Sequence, residues 1–452
     1  MSLHYKFLRW ASYLLGILFL LVVAYGIGRL IHVAQGSIYN GERAPYLQMV
    51  SSTGVTLRWQ STTSYRGFVN YGLSPDKLDK EARETESREG HEVRLVDLSP
   101  NTRYYYAVGP EYSEIKVNED NWFRTAPEIG AALSTRFWVL GDPGLAIPRQ
   151  AKVRDAALGW LRTNARPGRP ELDVLLTTGD NAYSSGKNEE FQQHFFEPYQ
   201  TILRNYAIWP VYGNHDARRW SFFRIFTLPT KAEAGGVASG TEHYYSFDYG
   251  KVHFVILDSQ ASRWNNNREM VKWLRKDLKA NQLPWVVSLF HHPPYTKGSH
   301  NSDSEYDSRG RMFEMRENVL PVLEQAGVDL VLNGHSHMYE RSYLLDCHYG
   351  ESRTVKPEMY LSQDKQHYQK RSLGAAAHEG TVYAVVGSSA RADAGPMNHP
   401  VMASSLMKIG SLVVDVDGNR LDGRFIGGEG EVLDHFSITK GISEAAVGSC
   451  ER

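Results

Sequence analysis

"GHSHMYER", residues 334–341, sets His335 and His337 one residue apart behind a glycine, at the end of the apolar run "VDLVLN" (328–333). A short buried strand running straight into a polar cluster is the pattern of an open α/β sheet, where ligands gather at the carboxyl ends of the strands. Four other stretches repeat it: "RFWVLGDPG" (136–144), "DVLLTTGDNAY" (173–183), "AIWPVYGNHD" (207–216) and "WVVSLFHHPPY" (285–295). Each delivers Asp, Asn, Tyr or His, all capable metal ligands. One such end alone reads as an ordinary turn or a hydrogen-bonded core histidine; five in one chain point to a shared metal site.

Two cations held about 3.5–4 Å apart need a carboxylate that touches both, flanked by oxygen and imidazole donors. Asp180 is the natural bridge. His335 and His337, two apart on extended backbone, point the same way and can reach neighbouring ions. By the same alternation His292 should face away from His291.

Between these runs lie helix candidates at 149–164, 267–281 and 313–326, so from about residue 135 strands alternate with helices in an α/β layer architecture. Further strands follow in "TVYAVVGSS", "SLVVDV", "GRFIGG" and "VLDHFSI", and the polar segment 352–379 reads as a loop or insertion. Residues 44–127 differ in character: short strands separated by turns, with Val55, Leu57 and Trp59 alternating with Thr56 and Arg58. That period of two marks half-buried strands and a small β-sandwich. The turn "LSPNT" (98–102) before "RYYYAV" and the exit "FRTAP" resemble a fibronectin type III domain.

At the start, Lys6 and Arg9 precede an uncharged stretch from Trp10 to Gly28. Its length is close to the roughly 20 residues that span a bilayer as a helix. A signal peptide has a shorter apolar core of about 7–15 residues and a small-x-small exit, which "RLIHVAQG" does not offer. An uncleaved single-pass anchor is therefore the expectation, with the bulk of the chain outside the cytoplasm; cleavage would make the protein secreted. The domain organisation expected is 1–35 anchor and linker, 36–127 all-β domain, and 128–452 catalytic domain. The 452 residues carry 50 basic and 51 acidic side chains and no long run of one sign, so no nucleic-acid partner is indicated. The only cysteines, Cys347 and Cys450, could form one bridge or remain two buried thiols.

The ordered set "GDPG", "GDNAY", "GNHD", "FHHP" and "GHSH" resembles the purple acid phosphatases, within the calcineurin-like metallophosphoesterases. Gly144 stands where the wider superfamily usually has histidine, and Tyr183 supplies a ligand instead, which marks the purple branch. Ser288 departs from the valine usual three residues before the ligand His291. The resemblance implies a four-layer α/β/β/α sandwich. It also implies a ferric ion on Asp142, Asp180, Tyr183 and His337, and a divalent iron, zinc or manganese on Asp180, Asn214, His291 and His335. His215 would contact substrate phosphate and protonate the leaving group, with His300 as a second substrate-side histidine. Asp216 is expected to orient His215, and Tyr339, Glu340 and Arg341 to support the histidine loop; His194, His243, His253 and His399 read as ordinary residues. The implied activity is hydrolysis of small phosphate monoesters by hydroxide held on the ion pair. A phosphodiesterase or nucleotide hydrolase on the same centre is the alternative, and a non-catalytic surface interaction protein a more distant one, since it predicts eroded ligands.

Overall fold

The computed structural model describes residues 3–111, 118–261 and 267–450. Helix α1 (Leu3–Gly36) holds an apolar stretch long enough to cross a bilayer, and the rest of the chain leaves that stretch uncovered.

The all-β region that follows is a hydrogen-bonded set of five strands, β1 (Arg43–Gln48), β2 (Val55–Gly72), β3 (Lys80–Leu95), β4 (Arg103–Pro110) and β5 (Trp122–Arg124), ordered β1-β2-β4-β5 with β3 also on β2. Val55, Leu57 and Trp59 are buried, as their alternation requires. Where the sequence pointed to short strands separated by turns, Val55–Gly72 forms one long strand. No glycine or proline interrupts the backbone from Val55 to Arg66, and β3 follows it through two register shifts. The region is tied to the remainder of the protein by Tyr46, whose hydroxyl donates to the Ile225 carbonyl at 2.6 Å, and by Tyr106, which donates to the Arg204 carbonyl at 2.8 Å.

Two seven-stranded sheets make the larger part. In one, β6 (Thr135–Leu140), β7 (Val174–Thr177) and β8 (Ile208–Trp209) are parallel. They continue through antiparallel β19 (Gly410–Asp417), β20 (Arg420–Gly427) and β21 (Val432–Lys440) to β16 (His367–Lys370). In the other, β10 (Val252–Ile256), β11 (Trp285–Leu289), β12 (Leu330–Asn333) and β17 (Val382–Val386) are parallel. Strands β9 (Tyr245–Tyr249), β13 (Tyr339–Ser342) and β18 (Met402–Leu406) add at the sides, antiparallel, and β14 (Leu344–Leu345) pairs with β15 (Tyr360–Ser362) in a small ladder of its own. Strand β16 falls inside the segment expected to be a loop: its four residues pair with β21, a partner some 70 residues on that no local pattern announces.

The sheets face each other, with Phe137 of β6 meeting Phe254 of β10 edge-on, ring centres 5.3 Å apart. Helix α2 (Pro148–Thr163) covers the outer face at β19 and β20. On the far side α6 (Asn267–Ala280), α7 (Arg311–Asn318) and α8 (Leu320–Gln325) send Leu274, Met315 and Leu323 into a second core with Val255, Val286 and Val331. The layering is α/β/β/α, as the resemblance implied. The helix expected at 313–326 is broken between α7 and α8 because Pro321 has no N–H to donate and its ring crowds the preceding turn. Short helices α3 (Asn188–Phe191), α4 (Glu197–Leu203) and α5 (Ser221–Ile225) pack beside β1 and carry the loops around residues 184–220.

Candidate metal centre

The carboxyl ends of β6, β7, β8, β11 and β12 lead directly into Asp142, Asp180, Asn214, His291 and His335. Parallel pairing aligns these ends along one edge of both sheets, so residues far apart in sequence arrive together. The turns are tight. Asp142, Asp180 and His335 adopt left-handed backbone, with φ of 52°, 51° and 69°. Such strain at non-glycine residues persists only where the surrounding structure holds it, and it clusters at functional sites. Gly144 is required by space: a Cβ there would collide with the Asn181 carbonyl.

All seven expected ligands converge. The Tyr183 hydroxyl donates to Asp142 Oδ1 at 3.0 Å and lies 3.0 Å from His337 Nε2. His291 Nε2 lies 3.0 Å from Asn214 Oδ1 and 3.4 Å from Asp180 Oδ2. Asp142, Asp180 and His291 offer ligand atoms all within 4.8 Å of one another, and so do His291, His292 and His335. The His335 N–H donates to both Asp142 oxygens, at 3.1 and 2.9 Å, joining the first and last motifs.

This donor set suits a pair of cations. Buried anions are costly unless paired or coordinated, yet among the described residues neither Asp142 nor Asp180 forms an ion pair with lysine or arginine. Burial drives the Asp142 carboxyl well above its usual range against the pull of His291, and the Asp180 charge adds to the rise. Burial acts on Asp180 too, but His291 and His215 beside it outweigh that and hold it low. Burial and the two carboxylates push the Tyr183 phenol well above its usual value, so a phenolate there calls for a neighbouring positive charge. Burial lowers His337 to about 4 and His335 well below the usual imidazole value, which leaves both neutral with lone pairs to offer.

His215 Nδ1 donates to the Ser184 carbonyl at 2.7 Å, and its Nε2 stands 3.9 Å from Asp180 Oδ2. His300 stacks on His335 with ring centres 3.9 Å apart and bonds Asp307 at 2.9 Å. Two sequence expectations fail here. The Asp216 carboxylate does not hydrogen-bond the His215 ring; it accepts from the Asn181 N–H, the Asn181 amide and the Gly213 N–H, each at 2.9 Å, clamping the second and third motif loops together. His292 is not sent away from the centre: its ring lies 4.5 Å from His335, and Ser259 lies 2.8 Å from its Nδ1. Strand β11 ends at Leu289, so the alternation of a strand no longer governs residues 291 and 292.

Behind the histidine loop, Tyr339 and Arg341 bond Asp434 at 2.6 to 3.0 Å, and the buried Glu340 accepts from the Thr296 hydroxyl. Both the tyrosine and the ion pair serve as support, as expected. Sequence reasoning missed Asp393, which accepts from His337 Nδ1 at 2.7 Å, and Arg391, which pairs with Asp393 at 2.9 Å. Their signal was the run into "GSSARAD" after β17, a further parallel strand end without a metal-ligand motif.

Residues 135–339 match the family profile of the calcineurin-like phosphoesterases, and residues 43–125 that of the purple acid phosphatase N-terminal domain. The chain belongs to the purple acid phosphatase family. It is 27% identical over 320 residues to probable purple acid phosphatase 20 of Arabidopsis thaliana, covering 66% of this chain and 68% of that one. Against purple acid phosphatase 22 of the same plant it is 29% identical over 300 residues, covering 60% of each. Among solved structures it resembles the purple acid phosphatase PPD1 of yellow lupin (Lupinus luteus), with a TM-score of 0.68 at 18% identity, over 88% of this chain and 75% of that one. It also resembles PhoD, with a TM-score of 0.59 at 14% identity and 88% of each chain covered. The family is one of metal-dependent phosphoester hydrolases with a binuclear metal centre.

Proposed function

We propose that this purple acid phosphatase relative hydrolyses phosphate monoesters. Asp142, Asp180, Tyr183 and His337 would hold a ferric ion, for which carboxylate and phenolate oxygens are suited hard donors. Asp180, Asn214, His291 and His335 would hold a divalent iron, zinc or manganese. The observation that carries the reading is the position of Asp180, in reach of the Asp142 carboxylate on one side and His291 on the other. When bound, such a pair supplies Lewis acidity that lowers the pKa of water and draws charge from phosphate oxygens.

The chain's own residues do the rest. His215, with Nδ1–H committed to the Ser184 carbonyl, directs Nε2 into the site, where it holds a proton for the leaving oxygen. His300, stacked over His335, contributes a second donor to the phosphate. Asp216 keeps the Asp180 and Asn214 loops in register.

The division into 1–35, 36–127 and 128–452 belongs to the same proposal. So does a single membrane crossing by α1, with the remainder outside the cytoplasm. The closed Cys347–Cys450 disulfide suits that compartment.

The test is metal analysis with a visible spectrum, followed by turnover of a phosphate monoester and its matching diester. A tyrosinate-to-ferric charge-transfer band, two metals per chain and a preference for the monoester are expected. A colourless protein with two bound metals would remove Tyr183 from the ligand set, and faster diester cleavage would reassign the activity.

A further inference from the structure

A cleft of about 1030 Å³ opens onto the centre: Asn214, His300 and His335 line it on one side, and Tyr25, Arg29 and His32 of α1 on another. The end of the apolar helix is therefore a wall of the cleft that leads to the ligands. It is fastened there. His32 Nε2 lies 2.6 Å from Arg219 Nη2, the Trp220 N–H donates to Ser37 Oγ at 2.9 Å, and Asn188 Nδ2 donates to the Ser37 carbonyl at 3.1 Å.

Helix geometry sets the level of that wall. From Trp10 to Gly28 the uncharged stretch rises about 28 Å at about 1.5 Å per residue, which nearly fills a hydrocarbon core of about 30 Å. The wall residues Tyr25 to Val33 straddle the end of that stretch, so the membrane crossing proposed above sets them at the depth of lipid headgroups. Two further features agree. Arg29, Arg218, Arg219, Arg309 and Arg311 line the cleft, and among the described residues no carboxylate does. Tyr306, 93% exposed, sits two residues from the cleft-lining Ser308, and Trp220 on the rim is 46% exposed. Tyrosine and tryptophan are the side chains that favour the membrane interface.

We propose that the substrate is a lipid phosphate monoester lying in the same bilayer that α1 spans. This rests on the phosphatase reading above and names its substrate class. Moving acyl chains out of a membrane carries a cost that grows with every CH₂, so a lipid phosphate reaches only a site whose mouth lies at headgroup level; a soluble ester needs no such placement. The arginines receive the phosphate dianion by charge-assisted hydrogen bonds. In the reaction a water oxygen bonds to phosphorus and the bond from phosphorus to the lipid oxygen breaks. That oxygen takes up a proton, leaving a lipid alcohol and inorganic phosphate.

The test uses the full chain, metal-loaded and reconstituted in phosphatidylcholine vesicles. Phosphatidic acid is supplied either in the same vesicles or in separate protein-free vesicles, with glycerol 3-phosphate as the soluble ester. Phosphate release from same-vesicle phosphatidic acid is expected at least tenfold faster than from separate vesicles, and faster than from glycerol 3-phosphate. Equal release from same and separate vesicles, or release from glycerol 3-phosphate alone, overturns the proposal and leaves the phosphatase reading standing; release from no ester removes both.

A second measurement is independent of metal and turnover. A fluorophore on Tyr306→Cys should be quenched by headgroup-level nitroxide lipid, and one on Asp417→Cys should not. Asp417 lies in the hairpin whose Gly418 carbonyl accepts from Trp285 at the start of β11, the strand whose other end delivers His291. Equal quenching at the two positions, or none at 306, overturns the proposal.

Discussion

Replacing Asp393 by asparagine keeps the shape of the side chain and removes the charge that orients His337. Two groups meet His337 Nδ1, Arg391 Nε at 3.0 Å and the Asp393 carboxylate at 2.7 Å; the carboxylate is the shorter and charged contact, so it draws the hydrogen onto Nδ1 and leaves Nε2 to face Tyr183 and Asp142. A hydrogen bond to a charged group contributes about 1.5–3 kcal/mol. The Asp393 side chain is 39% exposed, so water screens part of the interaction and the lower part of that range applies. A loss of about 1.5–2 kcal/mol corresponds to a roughly 10- to 30-fold weaker centre, in line with the roughly 10- to 100-fold effects of such orienting groups elsewhere. The expected result for Asp393→Asn is that fall in metal affinity by competition with a chelator, a matching fall in kcat/KM, and unchanged circular dichroism. A change under about threefold in both quantities would refute the idea that Asp393 positions His337.

The other expectations concern the bridge, the disulfide and one buried histidine. Asp180→Ala should lose metal and lower turnover by at least about 10³-fold, since such ions supply several kcal/mol of transition-state stabilisation, while the melting profile still shows a folded protein; retained turnover would sink the mechanism. Paired Cys347→Ser and Cys450→Ser substitutions open a loop of 103 residues, and a loss of about 2–4 kcal/mol is expected in urea unfolding at equal pH.

Burial alone would lower His253, but hydrogen bonds to Asp248 at 2.7 Å and Asp277 at 2.9 Å outweigh it and raise the group to about 9. Its contribution, about 3 kcal/mol from the shift above the unfolded value of roughly 6.5, is complete below pH about 6.5 and disappears as pH rises through about 9. His253→Gln should flatten the fall in stability across that window. Parallel stability profiles for the variant and the parent would refute the assignment.

The sequence by itself picked out the architecture and seven donor-bearing side chains that the fold brings together. Those signals are local: an apolar run of four to six residues, a glycine where the chain turns, and a donor in the next one or two positions. Parallel pairing then brings any such set of strand ends to one edge, so the centre was legible without knowing which strands were neighbours. Where strand periodicity ended, so did the reach of that logic, which is why His292 turned up beside His335. Tertiary structure decided what depends on contacts between distant segments. Asp216 clamps Asn181 across 35 positions, Asp393 reaches His337 across 56, and Cys347 meets Cys450 across 103. His32 meets Arg219 across 187 positions, which brings the apolar helix α1 to the mouth of the cleft. Hydrogen bonds, disulfides and burial at such separations are set by how the sheets and helices pack, and no short window of sequence encodes that packing.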